Sequence, residues 1–244
     1  MASSDSLLPW LRESSRTCRW SLIGNDIVDL DYFESPFYQH IRYLERVCLP
    51  EEAVAVRKSK NAVRALAAVW GAKEAAYKLV SRSSNPPHFV PRDFVTDLAR
   101  RNSRRHLDEL QVSWNEKQVT VAIFGNAQWL HAVAVFSPSC KLHWRVQEIR
   151  KPMLQAITPK DESESSRQLA KELLQETGLK NLSLDFLGKI PALRQRGSCY
   201  REIAISLSHH GRFAAAALAW APGKSQPHAE AQSGLVMGGA SRAA

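Results

Sequence analysis

Three short segments set chemically useful side chains among apolar ones. The first, Ile23-Gly24-Asn25-Asp26-Ile27-Val28-Asp29, places an acid inside a run of strand-forming residues. A carboxylate there is costly unless it is paired or bound to a cation, and the glycine lets another group approach the backbone closely. A lone Asp at that place reads more readily as a turn cap. The second, Trp70-Gly71-Ala72-Lys73-Glu74-Ala75-Ala76-Tyr77-Lys78, spaces Trp70, Glu74 and Lys78 four residues apart, on one face of a helix. Glu–Lys pairs at that spacing are ordinary on exposed faces, where they contribute about 0.2–0.5 kcal/mol. This helix is apolar on nearly every side, however, so its glutamate and lysines need partners, and a metal with phosphates would supply them. The third, Ile205-Ser206-Leu207-Ser208-His209-His210-Gly211, lies between two apolar strands. It reads as a polar hairpin, or as the mouth of a site in which His209 donates to a phosphate oxygen with help from Ser208.

The elements that must hold these segments follow from periodicity. Residues 20–30 read as a strand, 37–47 and 50–58 as short helices, and 61–80 as the strongest helix, with Asn61 as its cap. Strand character recurs at 109–115, 117–125, 129–136 and 141–149, with the alternation of a half-buried antiparallel sheet. A helix over 165–177 carries Leu169, Leu173 and Leu174 on one stripe and stops at Gly178. Two more strands are expected at 201–208 and 212–220. The fold class is therefore α+β. The domain reading is a flexible N-terminus over 1–19, a first unit over 20–150, a polar linker over 151–164, a second unit over 165–221 and a disordered tail over 222–244.

Composition narrows the function classes. The chain has 244 residues, of which 44% are hydrophobic, and a formal net charge of +9. It can build a real core, and it attracts anions: nucleic acid, acidic protein or phosphorylated small molecules. The four cysteines, Cys18, Cys48, Cys140 and Cys199, are scattered without a CxxC pair, which argues against a zinc site or a disulfide framework. They fit a reducing compartment. The first twenty residues lack a long apolar core and no run of eighteen apolar residues occurs, so no secretory signal and no membrane span are expected and the cytoplasm is the expected location.

Taken together, the three segments resemble the 4'-phosphopantetheinyl transferase superfamily. The resemblance runs in outline over residues 22–220 and is strong at 23–30, 61–79 and 203–218. It implies a fold of two similar lobes, each a small antiparallel sheet packed on a long helix. It also implies magnesium as cofactor, coenzyme A as substrate and an acidic acyl or peptidyl carrier protein as partner. On this resemblance Asp26 and Glu74 are the metal ligands, Lys73 and Lys78 lie near the phosphates, and His209, Ser208 and Arg64 contact coenzyme A. Asp26, Glu74 and Lys78 are the catalytic set, with Glu74 the first candidate to take the proton of the carrier serine. The phosphopantetheine arm moves to that serine and 3',5'-adenosine bisphosphate leaves. Gly188-Lys189-Ile190-Pro191 looks like a form of the family's Gly-Lys-Pro segment.

The departures point to the acyl-carrier-protein synthase group. Val28 stands where surfactin-type members carry a second acid, and Asp29 follows one place later. Val69 stands where arginine is frequent, which is why Arg64 is assigned the basic contact. The Ser-His half follows the metal half, the reverse of the surfactin-type order, so the two lobes are read as a pseudodimer in swapped order. Fatty-acid, polyketide and nonribosomal-peptide carriers all suit such an enzyme. Arg100, Arg101, Arg104 and Arg105 form one candidate docking patch, or a solvated loop. Two other readings stand beside this one. The charge alone would suit a nucleic-acid-binding module, although no reader motif is present. A family-shaped scaffold without catalysis is the other, kept open by Val28 and Val69 and opposed by the retention of both acids.

Overall fold

A computed structural model describes residues 23–33, 41–82, 88–104, 107–136, 140–150 and 156–220, without the side chains of 41, 99–104 and 107. The expected flexible N-terminus and disordered tail lie outside these residues. The described residues open with β1 (Ile23–Asp29), followed by the helices α1 (Leu30–Phe33), α2 (Ile41–Val47), α3 (Pro50–Lys58) and α4 (Ala62–Val80). Five strands follow: β2 (Val95–Arg104), β3 (Leu107–Trp114), β4 (Lys117–Gly125), β5 (Trp129–Val135) and β6 (Lys141–Glu148). Next come α5 (Pro159–Glu176), β7 (Ser183–Leu187), β8 (Ile190–Gln195), β9 (Ser198–Tyr200), β10 (Ile203–His210) and β11 (Phe213–Trp220). Every strand pairing is antiparallel, and the fold is α+β as the sequence implies.

Helix α4 forms because Ala, Leu, Lys and Glu dominate it and because Asn61 caps it, its Oδ1 accepting the Arg64 N–H at 2.8 Å. Its apolar side, including Leu66, Val69, Ala72, Ala76 and Leu79, packs on a five-stranded sheet of order β1-β5-β4-β3-β2. The contact is closest at Gly24. A Cβ there would stand 2.0 Å from the Ala75 carbonyl oxygen and 2.6 Å from the Leu79 nitrogen, so only glycine lets helix and strand meet.

A second sheet, β10-β11-β6, packs α5 against one face through Leu169, Leu173 and Leu174. Its middle strand, β11, is buried on both faces. Ala214, Ala216, Leu218 and Trp220 join the α5 core, while Ala217 and Ala219 meet Ile23, Val133 and Val135 of the first sheet. Phe213 and Ala215 pack on Ile27.

The two sheets are also joined by polar contacts. Strand β1 pairs with β5 on one edge, and its other edge presents the N–H groups of Asn25, Ile27 and Asp29. These donate to Ser206 Oγ at 3.1 Å, Ser208 Oγ at 3.1 Å and His210 Nδ1 at 3.0 Å. The separation is 181 residues in each case, so β10 runs alongside β1 in the same direction. Alternate side chains of β10 stand in for the backbone of a neighbouring strand.

Three elements differ from the sequence reading. The basic stretch 98–106 falls largely within β2, whose register shifts between Asp97 and Asn102, so no alternating pattern marks it as a strand. Helix α5 starts at Pro159, inside the stretch read as a linker. Thr158 and Asp161 form a capping box and Pro159 takes the first helical position, so proline here starts a helix. Strands β7, β8 and β9 form a small hairpin sheet that the sequence pattern does not reveal, with Gly188 (φ 65°) at its first turn and Gly197 (φ 82°) at its second.

Between the sheets lies a fully buried histidine. His131 Nε2 accepts from Asn25 Nδ2 at 3.0 Å, and the ring stands edge-on to Trp144. Burial, with the nearby Lys78 charge adding to it, lowers its pKa from 6.5 to about 3. The unfolded chain thus binds a proton below pH 6.5 that the folded chain refuses. The stability held by the neutral ring is complete above pH 6.5 and is lost as pH falls towards 3.

Two outcomes follow. Gly24→Ala should cost about 1–3 kcal/mol or more, read by denaturant unfolding; wild-type stability would contradict the close approach. Lowering the pH from 7 to 5 should cost about 2 kcal/mol through His131 alone. His131→Phe should flatten that acid slope in the same measurement, and an unchanged slope would count against a neutral ring.

Candidate active site

The close approach at Gly24 sets Asp26 against α4. Asp26 lies on the face of β1 that meets the helix, opposite Gly71, where a Cβ would be in ordinary contact with its carboxylate at 3.9 Å from Oδ2. Lys78 Nζ donates to Asp26 Oδ1 at 2.9 Å and lies 3.8 Å from Glu74 Oε1. The two carboxylates, distant in the chain, thus flank one ammonium. Ser208 completes the group. Its hydroxyl donates to Asp26 Oδ1 at 2.9 Å while accepting from the Ile27 N–H at 3.1 Å and from Lys78 Nζ at 3.3 Å. All the hydrogen-bonding capacity of that hydroxyl is in use.

The electrostatics follow from burial. The Asp26 side chain is 7% exposed, whereas Glu74 is 24% and Lys78 28% exposed, so the group opens to solvent on the helix side. Burial, together with the Asp26 charge, pushes the Glu74 carboxyl up to about 7, against the pull of Lys78. Burial works against the Lys78 ammonium, but Asp26 and Glu74 outweigh it and hold its pKa above the ordinary value.

The other sequence-derived candidates lie elsewhere. Lys73 is five residues from Lys78, about 140° around the helix, and points to the opposite side. Its ammonium is fully buried, donating to Glu52 Oε2 at 2.6 Å and to the Val47 carbonyl at 2.8 Å. Glu52 also accepts from the N–H groups of Leu49 and Thr96. Burial draws the Lys73 pKa down while Glu52 opposes the shift. Lys73 therefore ties the α2–α3 turn to α4 and is not brought to the Asp26 group. Arg64 sits about 15 Å along the helix from Glu74, and its guanidinium donates to the Asn126 carbonyl at the β4–β5 turn. His209 is on the face of β10 opposite Ser208, with Nδ1 3.3 Å from Glu162 Oε2 on α5.

Val28 is buried in the core and adds no donor. Asp29 faces away from Asp26. Burial tends to raise its pKa, but Arg212, which grips both oxygens at 2.8 and 2.9 Å, holds it below the ordinary value. A Cβ on Gly211 (φ 56°) would stand 2.7 Å from the same carboxylate. The segment Gly188-Lys189 forms the exposed β7–β8 turn. Of the run Arg100, Arg101, Arg104 and Arg105, the first three lie in β2; the side chains of all four are outside the described residues.

Ser206, His210 and Arg82 are neighbours that the sequence reading passes over. The first two continue, at period two, the face of β10 that carries Ser208. The third lies four residues beyond the stripe of Trp70, Glu74 and Lys78. Among the described residues, no group of three or more His, Cys, Asp or Glu side chains is assembled as for a metal held by protein alone.

A stripe of acid and base on a helix, packed on a strand that carries a further acid, defines a site for anionic chemistry. Residues 22–134 match the model of the 4'-phosphopantetheinyl transferase superfamily. That segment, a little under half of the chain, is similar to this superfamily, and the match supports a phosphopantetheinyl transferase function in general. The match holds β1, α4, Asp26, Glu74 and Lys78 and ends before Ser208. No curated protein matches the chain.

Lys73→Met should destabilise the fold by about 3–5 kcal/mol, because Glu52 is left buried and unpaired. Adding Glu52→Gln should recover part of the loss. Urea unfolding of the two variants distinguishes this from a ligand-binding role, under which Lys73→Met would keep its stability.

Proposed function

We propose that this chain is a holo-acyl-carrier-protein synthase-type enzyme, transferring the 4'-phosphopantetheine arm of coenzyme A to a serine of an acyl or peptidyl carrier protein. The observation that carries this reading is the convergence of Asp26 and Glu74 on Lys78, with Ser208 of β10 locking Asp26 in place.

The donor set suits magnesium. Two carboxylates supply hard oxygen ligands and leave positions for water and substrate phosphates, the arrangement magnesium prefers. The rise in the Glu74 pKa reflects its burial first and then the like charge of Asp26, and a divalent cation held by both acids would offset that repulsion. When bound, the ion supplies positive charge opposite the pyrophosphate and its leaving oxygen. The chain's own groups do the rest. Lys78 gives the phosphates an ammonium already held charged by its two acids. Ser208 keeps Asp26 from turning away. His209, on the opposite face of β10 against Glu162, is not brought to this group. Glu74, open to solvent, takes the proton of the serine hydroxyl. The serine oxygen forms a bond to the β-phosphorus, the bond from that phosphorus to the bridging oxygen breaks, and 3',5'-adenosine bisphosphate leaves with the electron pair.

The two-part organisation belongs to the same proposal, with units at 20–150 and 165–221 in swapped order relative to surfactin-type enzymes. It is supported by one long helix on each large sheet and by β10 running beside β1. The net charge of +9 favours an acidic carrier. Among the described residues, no helix is long and apolar enough to cross a membrane.

With coenzyme A, magnesium and a panel of apo-carriers, mass spectrometry should show a carrier gaining the phosphopantetheine arm. Glu74→Gln and Asp26→Ala should each slow this at least about a hundredfold, with circular dichroism unchanged. Full transfer by either variant would discard the assignment.

A further inference from the structure

Arg82 lies four residues beyond Lys78, in the turn that follows α4. One of its terminal nitrogens donates to the Ile205 carbonyl on β10 at 2.6 Å. Ile205 is three residues before Ser208, so the guanidinium is tethered to the strand that closes over Asp26. Its surroundings set it apart from three other buried or half-buried cations. Lys73 has Glu52, Lys78 has Asp26 and Arg212 has Asp29, but among the described residues no carboxylate pairs with Arg82. Burial alone lowers its pKa to about 10, with no acid acting on it. It adds to the positive charge at Lys78 and slightly disfavours that ammonium.

A guanidinium has five N–H donors in a planar fork. A single carbonyl leaves most of them unused, and a part-buried charge without a counter-charge is unfavourable. Two cations four residues apart, the second without an acid, form a seat for an anion with several oxygens. The fork matches two oxygens of one phosphate. We propose that Arg82 is a phosphate-binding residue of this site, its guanidinium gripping a phosphate group of coenzyme A beside Lys78 while the Ile205 carbonyl aims it. This rests on the transferase reading for the identity of the ligand, but the placement of the cation is independent of it.

The competing role is structural: Arg82 would merely satisfy the Ile205 carbonyl. Arg82→Gln separates the two, since it keeps a donor for that carbonyl and removes the charge and the fork. Arg82→Lys keeps the charge without the fork. Full-length wild type and both variants would be titrated calorimetrically with coenzyme A, dephospho-coenzyme A, inorganic pyrophosphate and 3',5'-adenosine bisphosphate, with thermal unfolding as the check on folding. Arg82→Gln should weaken coenzyme A binding at least about tenfold, as expected for a lost charge-assisted bond, at an unchanged unfolding midpoint. Arg82→Lys should fall between. A loss that persists with dephospho-coenzyme A places the grip on the diphosphate; one that vanishes places it on the 3'-phosphate.

Wild-type affinity of Arg82→Gln for every anion would overturn the proposal, as would failure of wild type to bind any of them. Pyrophosphate binding that depends on Arg82, in a protein that ignores coenzyme A, would uphold the anion seat and sink the transferase reading instead.

Discussion

The outer edge of β1 has three N–H groups, on Asn25, Ile27 and Asp29, that must find acceptors inside the protein. Among the described residues, no strand pairs with that edge. Instead Ser206, Ser208 and His210 supply two hydroxyls and a ring nitrogen, one to each N–H. A buried N–H without a partner costs about 1–3 kcal/mol, so three of them fix β10 against β1 in direction and in register. The rest of the site follows from that contact. Ser208 cannot serve Ile27 without its hydroxyl also lying against Asp26, and Asp26 is thereby held where Lys78 reaches it. The same contact fixes His210: because its Nδ1 accepts from the Asp29 N–H, its proton sits on Nε2.

Helix α4 meets this arrangement from the other side, and the closeness of its approach is set by absence of side chain. At Gly24 the helix backbone occupies the space a Cβ would take. This brings Glu74 and Lys78, side chains on the flank of α4, to an acid in the middle of a strand. The charges then arrange themselves by burial. Asp26 is the least exposed and is paired, Lys78 is held charged between two acids, and Glu74 has its pKa raised by burial first and by its like-charged neighbour second. The buried Lys73–Glu52 pair, on the far side of the same helix, anchors the α2–α3 turn and so steadies α4.

Much of this is legible in the sequence. The stripe Trp70–Glu74–Lys78 follows from a period of 3.6, Asn61 declares the helix start, and an acid in an apolar strand marks Asp26. What failed was choice between neighbours. Lys73 and Lys78 are both plausible from spacing, and only the position of Glu52, on a different helix, decides which one turns away. His209 and His210 differ by one residue, and a shift of one place in a strand moves a side chain to the opposite face. Which face of β10 meets β1 is a property of sheet packing that the local sequence does not encode. Strand β2 was hidden by its irregular register and basic composition, and the start of α5 by a proline that signals a break and a helix start with equal ease.

Strand β11 bears on the site without touching it. Alanine fills five of its eight positions, and every position is buried between α5 and the first sheet. Methyl groups at Ala215, Ala217 and Ala219 are the gauge that determines how far apart the two layers stand. Strand β10 is bonded along its length to β11 and shifts with it. A bulkier side chain at any of these positions would wedge the layers apart and lift the serine hydroxyls off β1, so the metering of distance at the carboxylates is done by a stretch of chain whose own residues have no reactive atoms.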